Sequence, residues 1–331
     1  MRRISVFAPY RVSFFGGGTD IPPFSDLYGG CVINATIDMG MRVRYVDDGK
    51  PLEISSRDML RSWSLSGLSG NEFMGRISDL FEMNGITTGR LTVSGDVPAG
   101  TGLGSSTSLV QALLTLIRRI KGEAIDTWKI AQESYRTERD HFHVTLGLQD
   151  PYAIPFPGLK YVEFSRSGVN VERLDQKSNF LRMLERSSMI VYTGSTRNSS
   201  DELQNEVSKL NSNSEEMINT LLEIKAVTID ARSTIVRNDM RAFCDLMNRS
   251  WELKKKLGRS ITNERVEFLI NTAMKNGACA AKLMGGGSAG FILAIAPPEK
   301  LWNLETKMME VSEFVTRVSY ESDGIVVEDS S

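Results

Sequence analysis

Residues 98–108 read Pro-Ala-Gly-Thr-Gly-Leu-Gly-Ser-Ser-Thr-Ser, and an apolar-periodic run begins at once with Leu109, Val110, Leu113, Leu114, Leu116, Ile117 and Ile120. Glycines ahead of a helix let the backbone turn tightly and approach a ligand, and the unpaired N–H groups and dipole of a first helical turn attract an anion. The chemistry of this stretch is that of a phosphate cradle. No Gly-x-x-x-x-Gly-Lys-Ser/Thr sequence occurs in the chain, so a helix, a metal and residues from elsewhere have to meet the phosphate charge. Taken alone, a glycine turn ending in a serine N-cap accounts for the same residues.

Two carboxylates further along have the right type for that charge balance. A helix over about residues 126–142 spaces Trp128, Ala131, Tyr135, Glu138 and Phe142 so that they share one face. Glu138 then lies on an apolar stripe, where a bare carboxylate is costly and has to be paired, protonated or bound to a metal. A buried salt bridge to an arginine and a metal ligand are equally open. Asp150 directly precedes Pro151, either as the cap of a short helix or as a general base or charge partner held on a rigid turn. Residues 13–20, Ser-Phe-Phe-Gly-Gly-Gly-Thr-Asp, follow a strand over residues 4–12 and set three glycines between Arg11 and Asp20. Residues 285–290 match Gly-x-Gly-x-x-Gly, but a strand and then Pro297-Pro298 follow where a dinucleotide site needs a helix. That segment is read as a glycine loop between two strands. Arg197, ahead of a helical stretch, either meets a substrate anion or caps a surface loop; Lys254-Lys255-Lys256 reads as a solvated helix end favoured by the dipole.

The elements that must position these groups are legible in outline. Strands are predicted over residues 31–38, 41–45, 52–55, 91–95, 161–164, 189–192, 314–320 and 325–328, and helices over 71–84, 200–257 with breaks near 211–214 and Asn238, and 298–311. At 331 residues the chain is long for one core, so two domains are expected, joined in the polar stretch 165–178. A hydrophobic share of 41% and a charged share of 24% suit a soluble globular protein. The net charge of −2 gives no footprint for nucleic acid or an anionic membrane. Cys31, Cys244 and Cys279 are widely spaced in apolar surroundings, which predicts reduced thiols in a cytoplasmic protein. His141 and His143 are the only histidines, too few for a structural zinc site, and no run suits a signal peptide or membrane span.

Three glycine-rich segments in fixed order, residues 9–20, 98–108 and 282–290, with Glu138 and Asp150 between the second and third, resemble the three motifs of the GHMP kinases. That superfamily comprises galactokinase, homoserine kinase, mevalonate kinase and phosphomevalonate kinase. The Phe-Gly-Gly-Gly-Thr-Asp, Gln-Asp-x-Tyr-Ala and Gly-Gly-Gly-Ser-Ala-Gly segments look most like its sugar-phosphate branch, typified by heptose 7-phosphate kinases. Thr107 and Ser108 depart from the small apolar residues of many relatives. The resemblance implies a two-domain α/β (α+β) fold, residues 1–170 like ribosomal protein S5 domain 2 and residues 171–331 ferredoxin-like. It implies ATP and Mg²⁺ as cofactors. Pro98, Gly100, Thr101, Gly102, Leu103, Gly104, Ser105, Ser106 and Thr107 would wrap the ATP phosphates. Ser106 and Glu138 would hold the metal, and Asp150 with Arg11 would be catalytic, with Asp150 a true base or an orienter. Gly18, Thr19, Asp20, Gly147, Gln149, Arg197, Gly286, Gly287 and Ser288 would face a small polar acceptor. A sugar phosphate is the first choice of acceptor, and mevalonate or a mevalonate phosphate the rival. A ligand sensor and an ATP-dependent decarboxylase are the other classes. The protein is expected to be a cytoplasmic monomer or homodimer with no nucleic-acid or membrane partner.

Overall fold

The computed structural model describes residues 2–57, 61–64, 72–176, 179–196, 215–258, 260–321 and 323–330. The chain opens with β1 (Arg3–Phe15), whose side chains alternate between buried and more exposed at first and are all buried from Ala8 onward, where both faces are covered. After α1 (Phe24–Tyr28) comes β2 (Gly30–Pro51), antiparallel to β1. The two strands predicted over 31–38 and 41–45 are one strand: a register shift at Pro9/Tyr10 absorbs Asp38 and Met39, so β2 bends without ending. Next are β3 (Glu53–Ser56), β4 (Arg61–Ser64), α2 (Glu72–Met83), β5 (Thr88–Gly95), α3 (Ser105–Lys121) and α4 (Thr127–Arg136). A π-helical turn (Thr137–His141), α5 (Gln149–Ala153), β6 (Leu159–Ser165) and β7 (Gly168–Arg173) follow.

These strands form one sheet in the order β12-β1-β2-β5-β3-β4, with β12 (Val326–Ser330) returning from the chain's end and the β6–β7 hairpin branching from β2. The expected division at residue 170 therefore falls inside β7, and the last strand belongs with the first sheet. The two units are interleaved in sequence because antiparallel pairing to β1 recovers the closing segment.

The second unit holds α6 (Phe180–Glu185), β8 (Ser188–Tyr192), α7 (Glu215–Val236), α8 (Met240–Lys256), α9 (Glu264–Lys275), β9 (Ala280–Leu283), β10 (Phe291–Ile295), α10 (Pro298–Met309) and β11 (Val315–Arg317). Its antiparallel sheet has the order β11-β8-β10-β9, the βαββαβ succession of the ferredoxin-like expectation with extra helices between β8 and β9. Arg197 and residues 200–214 of the predicted helical stretch lie outside the described residues.

The units share a continuous apolar core. Phe243 of α8 stacks against Phe14 and Phe15 of β1, with ring centroids 5.6 and 5.0 Å away, and against Phe180 at 4.9 Å. Interlocked aromatic edges of this kind hold the two units together through their shared core. Cys244 and Cys279 face each other with Cα atoms 5.7 Å apart, and Cys31 is free and buried. The packing of α8 on β9 brings the two together across 35 residues, a proximity that spacing does not reveal. Among the described residues no helix is long and apolar enough to cross a membrane.

Candidate active site

The phosphate-cradle segment is fastened from three sides. Leu103 O accepts from the Arg11 backbone N–H (3.0 Å), Thr101 O from the Phe291 N–H (3.0 Å), and Pro9 O accepts from Ser108 Oγ (2.8 Å). The loop thus lies between β1 and the start of β10, with all three glycine segments meeting at it. Gly104, and not a serine, occupies the N-cap of α3, with φ +78° and no side chain capping the helix. An L-residue there would be strained, and its Cβ would sit 3.3 Å from Asp150 Oδ2, so glycine lets α3 begin directly beside that carboxylate.

Arg11 projects from β1 into this junction and is 4% exposed. Its Nε and Nη2 donate to Asp150 Oδ1 and Oδ2 at 2.6 and 2.8 Å, and Nη1 donates to Gly102 O at 2.6 Å. This bidentate geometry is the strongest form of the guanidinium–carboxylate pair. It makes Asp150 a charge partner of Arg11. The side chain makes no helix-capping bond and is committed to Arg11 across the cleft.

Glu138 lies in the π-helical turn that ends the predicted 126–142 helix, whose regular part is α4 alone. The Phe142 N–H reaches back to Thr137 O (3.0 Å), the wider loop characteristic of π-turns, which recur at functional sites. Glu138 is 1% exposed, and its two oxygens accept from Ser106 Oγ (2.8 Å) and Thr107 Oγ1 (2.7 Å). Burial pushes its carboxyl up to about 8, against the lowering effect of the two hydroxyls, with the nearby Asp150 charge adding to the rise. Among the described residues it forms no ion pair; its partners are the two hydroxyls. Two hydroxyls and a carboxylate form an all-oxygen donor set that fits a hard divalent ion.

On the other side, Asp20 is clamped by backbone: Gly18 N–H donates to Oδ1 and Gln149 N–H to Oδ2, both at 3.0 Å. Burial raises its carboxyl despite these bonds. Gln149 Oε1 accepts from Ser13 Oγ at 2.7 Å. Gly147 permits this clamp, because a Cβ there would overlap Asp20 Oδ2. Gly147→Ala is expected to cost about 1–3 kcal/mol of stability through that overlap; chemical denaturation measures it, and an unchanged midpoint would show that Asp20 has another place to go.

These segments together wall a cleft that is open to solvent. Arg11, Gly18, Asp20, Gly100, Gly102, Gly104, Ser105, Ser106, Thr107, Glu138, Gly147, Gln149, Asp150 and Gly286 all line it. Other predicted residues do not. Thr19 is buried with its hydroxyl donating to Gly16 O and Cys31 O, so it ties the loop to β2. Thr101 and Leu103 are buried beneath the cradle, Pro98 flanks it, and Gly287 and Ser288 turn toward Ile261, whose carbonyl accepts the Ser288 N–H at 3.0 Å. Ser13, Ser250, Lys254 and Lys282 line the cleft without having been singled out. Lys254, expected in a solvated run, sits one turn beyond Ser250 on the inner side of α8. The signal available for Lys282 was a lone charge in the apolar run Ala-Ala-Lys-Leu-Met.

Two interleaved α/β units closing over glycine loops, a helix N-terminus and a buried carboxylate define the architecture of a small-molecule phosphotransferase. The N-terminal domain of the GHMP kinases matches residues 72–158 and their C-terminal domain residues 231–305. The chain belongs to the GHMP kinases, ATP-dependent enzymes that phosphorylate a hydroxyl group. It is 28% identical to a D-glycero-α-D-manno-heptose 7-phosphate kinase of Campylobacter jejuni, over 98% of both chains. The crystal structure of a D-glycero-D-manno-heptose 1-phosphate kinase from Bacteroides thetaiotaomicron superposes with a TM-score of 0.77 at 25% identity, over 99% of both chains. A mevalonate kinase of Pyrococcus horikoshii is 26% identical over 73% of this chain and 69% of its own.

Proposed function

We propose that this protein transfers the γ-phosphate of ATP to a hydroxyl of a sugar phosphate, with a heptose 7-phosphate as the acceptor. The observation that carries the reading is the convergence of two carboxylates on the N-terminus of α3. Glu138 is bound through Ser106 and Thr107, and Asp150 through Arg11. Phosphoryl transfer asks mainly for in-line positioning and for neutralisation of charge on the transferring group. The cradle glycines and the first turn of α3 hold the phosphates. Ser106 and Glu138 would hold Mg²⁺, which when bound supplies neutralisation of the phosphate charge. Asp150 takes up the proton of the acceptor hydroxyl, and Arg11 fixes it in place while its third hydrogen bond ties the pair to the cradle at Gly102. Asp20, rigidly clamped, orients acceptor hydroxyls.

The acceptor class is supported by the identity to a heptose 7-phosphate kinase, 28% over 98% of the chain, against 26% over 73% for the mevalonate kinase. A sensor would have no need to keep both carboxylates with their hydroxyl and guanidinium partners. An ATP-consumption screen against heptose 7-phosphate, other sugar phosphates, free sugars, mevalonate and its phosphates tests the proposal. Consumption with heptose 7-phosphate above the acceptor-free rate is expected. Preference for mevalonate compounds would overturn the acceptor, release of CO₂ would indicate a decarboxylase, and no consumption with any acceptor would overturn the kinase reading itself.

A further inference from the structure

We propose that Lys282 and Lys254, beside the glycine loop 16–18, form a second anion subsite that receives the phosphomonoester the acceptor already carries. This deepens the kinase reading and rests on it. The cleft lining carries three acids, Asp20, Glu138 and Asp150, and Lys282 faces the same space. Each acid is already committed. Asp150 is held by Arg11, Glu138 by two hydroxyls, and Asp20 by two backbone N–H groups. Lys282 is 8% exposed, donates to Phe14 O at 3.0 Å, and forms no ion pair among the described residues. An ammonium has three donors, so one carbonyl satisfies a third of its capacity. A buried cation in a cleft without a carboxylate partner is costly unless an anion completes it.

The two lysines enter the cleft from the side of the glycine loop 16–18. Lys282 reaches across from β9 to the end of β1, next to Phe15 and the glycine loop. Lys254 Nζ approaches the same loop from α8, 3.5 Å from where a Cβ on Gly18 would stand, and Ser250 lines the cleft one turn earlier on that helix. Over Gly17 there is open space: a Cβ built there meets no atom within 4 Å. The loop's next carboxylate, Asp20, faces the acceptor side, whereas the 98–108 segment presents its anion site at α3. Burial, together with the charges of Lys254 and Arg11, lowers Lys282 to about 7, a repulsion that a dianionic phosphomonoester would relieve.

The competing explanation is that Lys282 only tethers β9 to β1. Titration calorimetry on the full chain separates the two. The magnesium complex of the non-hydrolysable ATP analogue AMPPNP is titrated first, and binding there tests the nucleotide half of the kinase reading by itself. Heptose 7-phosphate and free heptose are then titrated into the nucleotide complex, with mannose 6-phosphate and mannose as a second pair. Wild type is expected to bind at least one phosphorylated sugar about tenfold or more tighter than its free partner, and Lys282→Met to remove that preference, the scale of losing one charge-assisted contact. Lys254→Met, at a half-buried site, reduces the preference without requiring a change in the core. Unaltered AMPPNP affinity in both variants shows that the fold and the cradle are intact. The proposal is overturned if no phosphorylated sugar outbinds its free partner, or if both variants discriminate as wild type does. It is overturned equally if AMPPNP affinity falls in place of sugar-phosphate affinity, which assigns the lysines to the nucleotide.

Discussion

Asp150→Asn is expected to lower kcat by about a hundred- to ten-thousand-fold, the range for removing a positioned proton acceptor, while ATP affinity stays within about twofold. The asparagine keeps the shape of the side chain and one acceptor oxygen for the Arg11 fork, but it cannot take a proton from the acceptor hydroxyl. Arg11 is then left buried beside a neutral partner, so some loss of thermal stability accompanies the substitution. For that reason the turnover is compared on protein whose folded fraction is measured, and nucleotide affinity is measured directly. A rate within about tenfold of wild type would reduce Asp150 to a brace that holds Arg11 against the cradle, since losses in the general-base range would then be missing.

Glu138→Gln is expected to act in opposite directions on activity and on stability. Turnover with magnesium falls by about a hundred- to a thousand-fold, the scale of losing one preorganised charge-stabilising group at the transferring phosphate. The metal-free protein, by contrast, becomes more stable at alkaline pH. In wild type the folded-state carboxyl sits at about 8, above the ordinary 4.5, so folding favours the protonated form. That contribution is complete below pH 4.5 and is lost as pH rises through about 8, where folding has to bury the charge. Wild-type stability in EDTA therefore declines across that window, and the glutamine variant lacks this decline because its side chain does not titrate. Thermal melts of both proteins from pH 5 to pH 8.5 check the difference. Parallel curves would mean that Glu138 is solvated or paired in solution in a way that the Ser106–Thr107 clasp does not allow.

These two expectations rest on residues that type and position single out as candidates with an alternative open for each, and whose roles come from the resemblance of the glycine segments around them. Glu138 stood out because a charge on an apolar helical stripe needs a partner, and Asp150 because the turn before Pro151 holds a short side chain in one direction. The three glycine loops were legible for the same reason: backbone that must approach a ligand or another strand is written as glycine, whatever the surrounding fold. Groups whose placement depends on tertiary packing were not legible. Lys282 looks like a stray charge in a strand, and only the approach of its side chain to the end of β1 places it at the cleft. Lys254 belongs to a run of three lysines, and the rotation of α8 against α7 decides which of them faces inward. The second hydroxyl on Glu138, from Thr107, follows from the π-turn, a local widening that periodicity averages away. Thr19, Gly287 and Ser288 lie in the expected loops but are spent on holding those loops to β2 and to the segment before α9. The closing strand and the Cys244–Cys279 contact join segments distant in sequence, and no local pattern encodes such pairings.

The central claim is direct transfer of a phosphoryl group from ATP to a hydroxyl of a molecule that already bears one phosphate. Phosphorus NMR of a reaction containing the protein, MgATP and heptose 7-phosphate reads this in one spectrum. The account predicts ADP and a heptose bisphosphate in equal amounts, seen as two phosphomonoester signals on one sugar, and no inorganic phosphate above the acceptor-free control. ADP accompanied only by inorganic phosphate, or an unchanged heptose 7-phosphate signal while ATP is consumed, would contradict it.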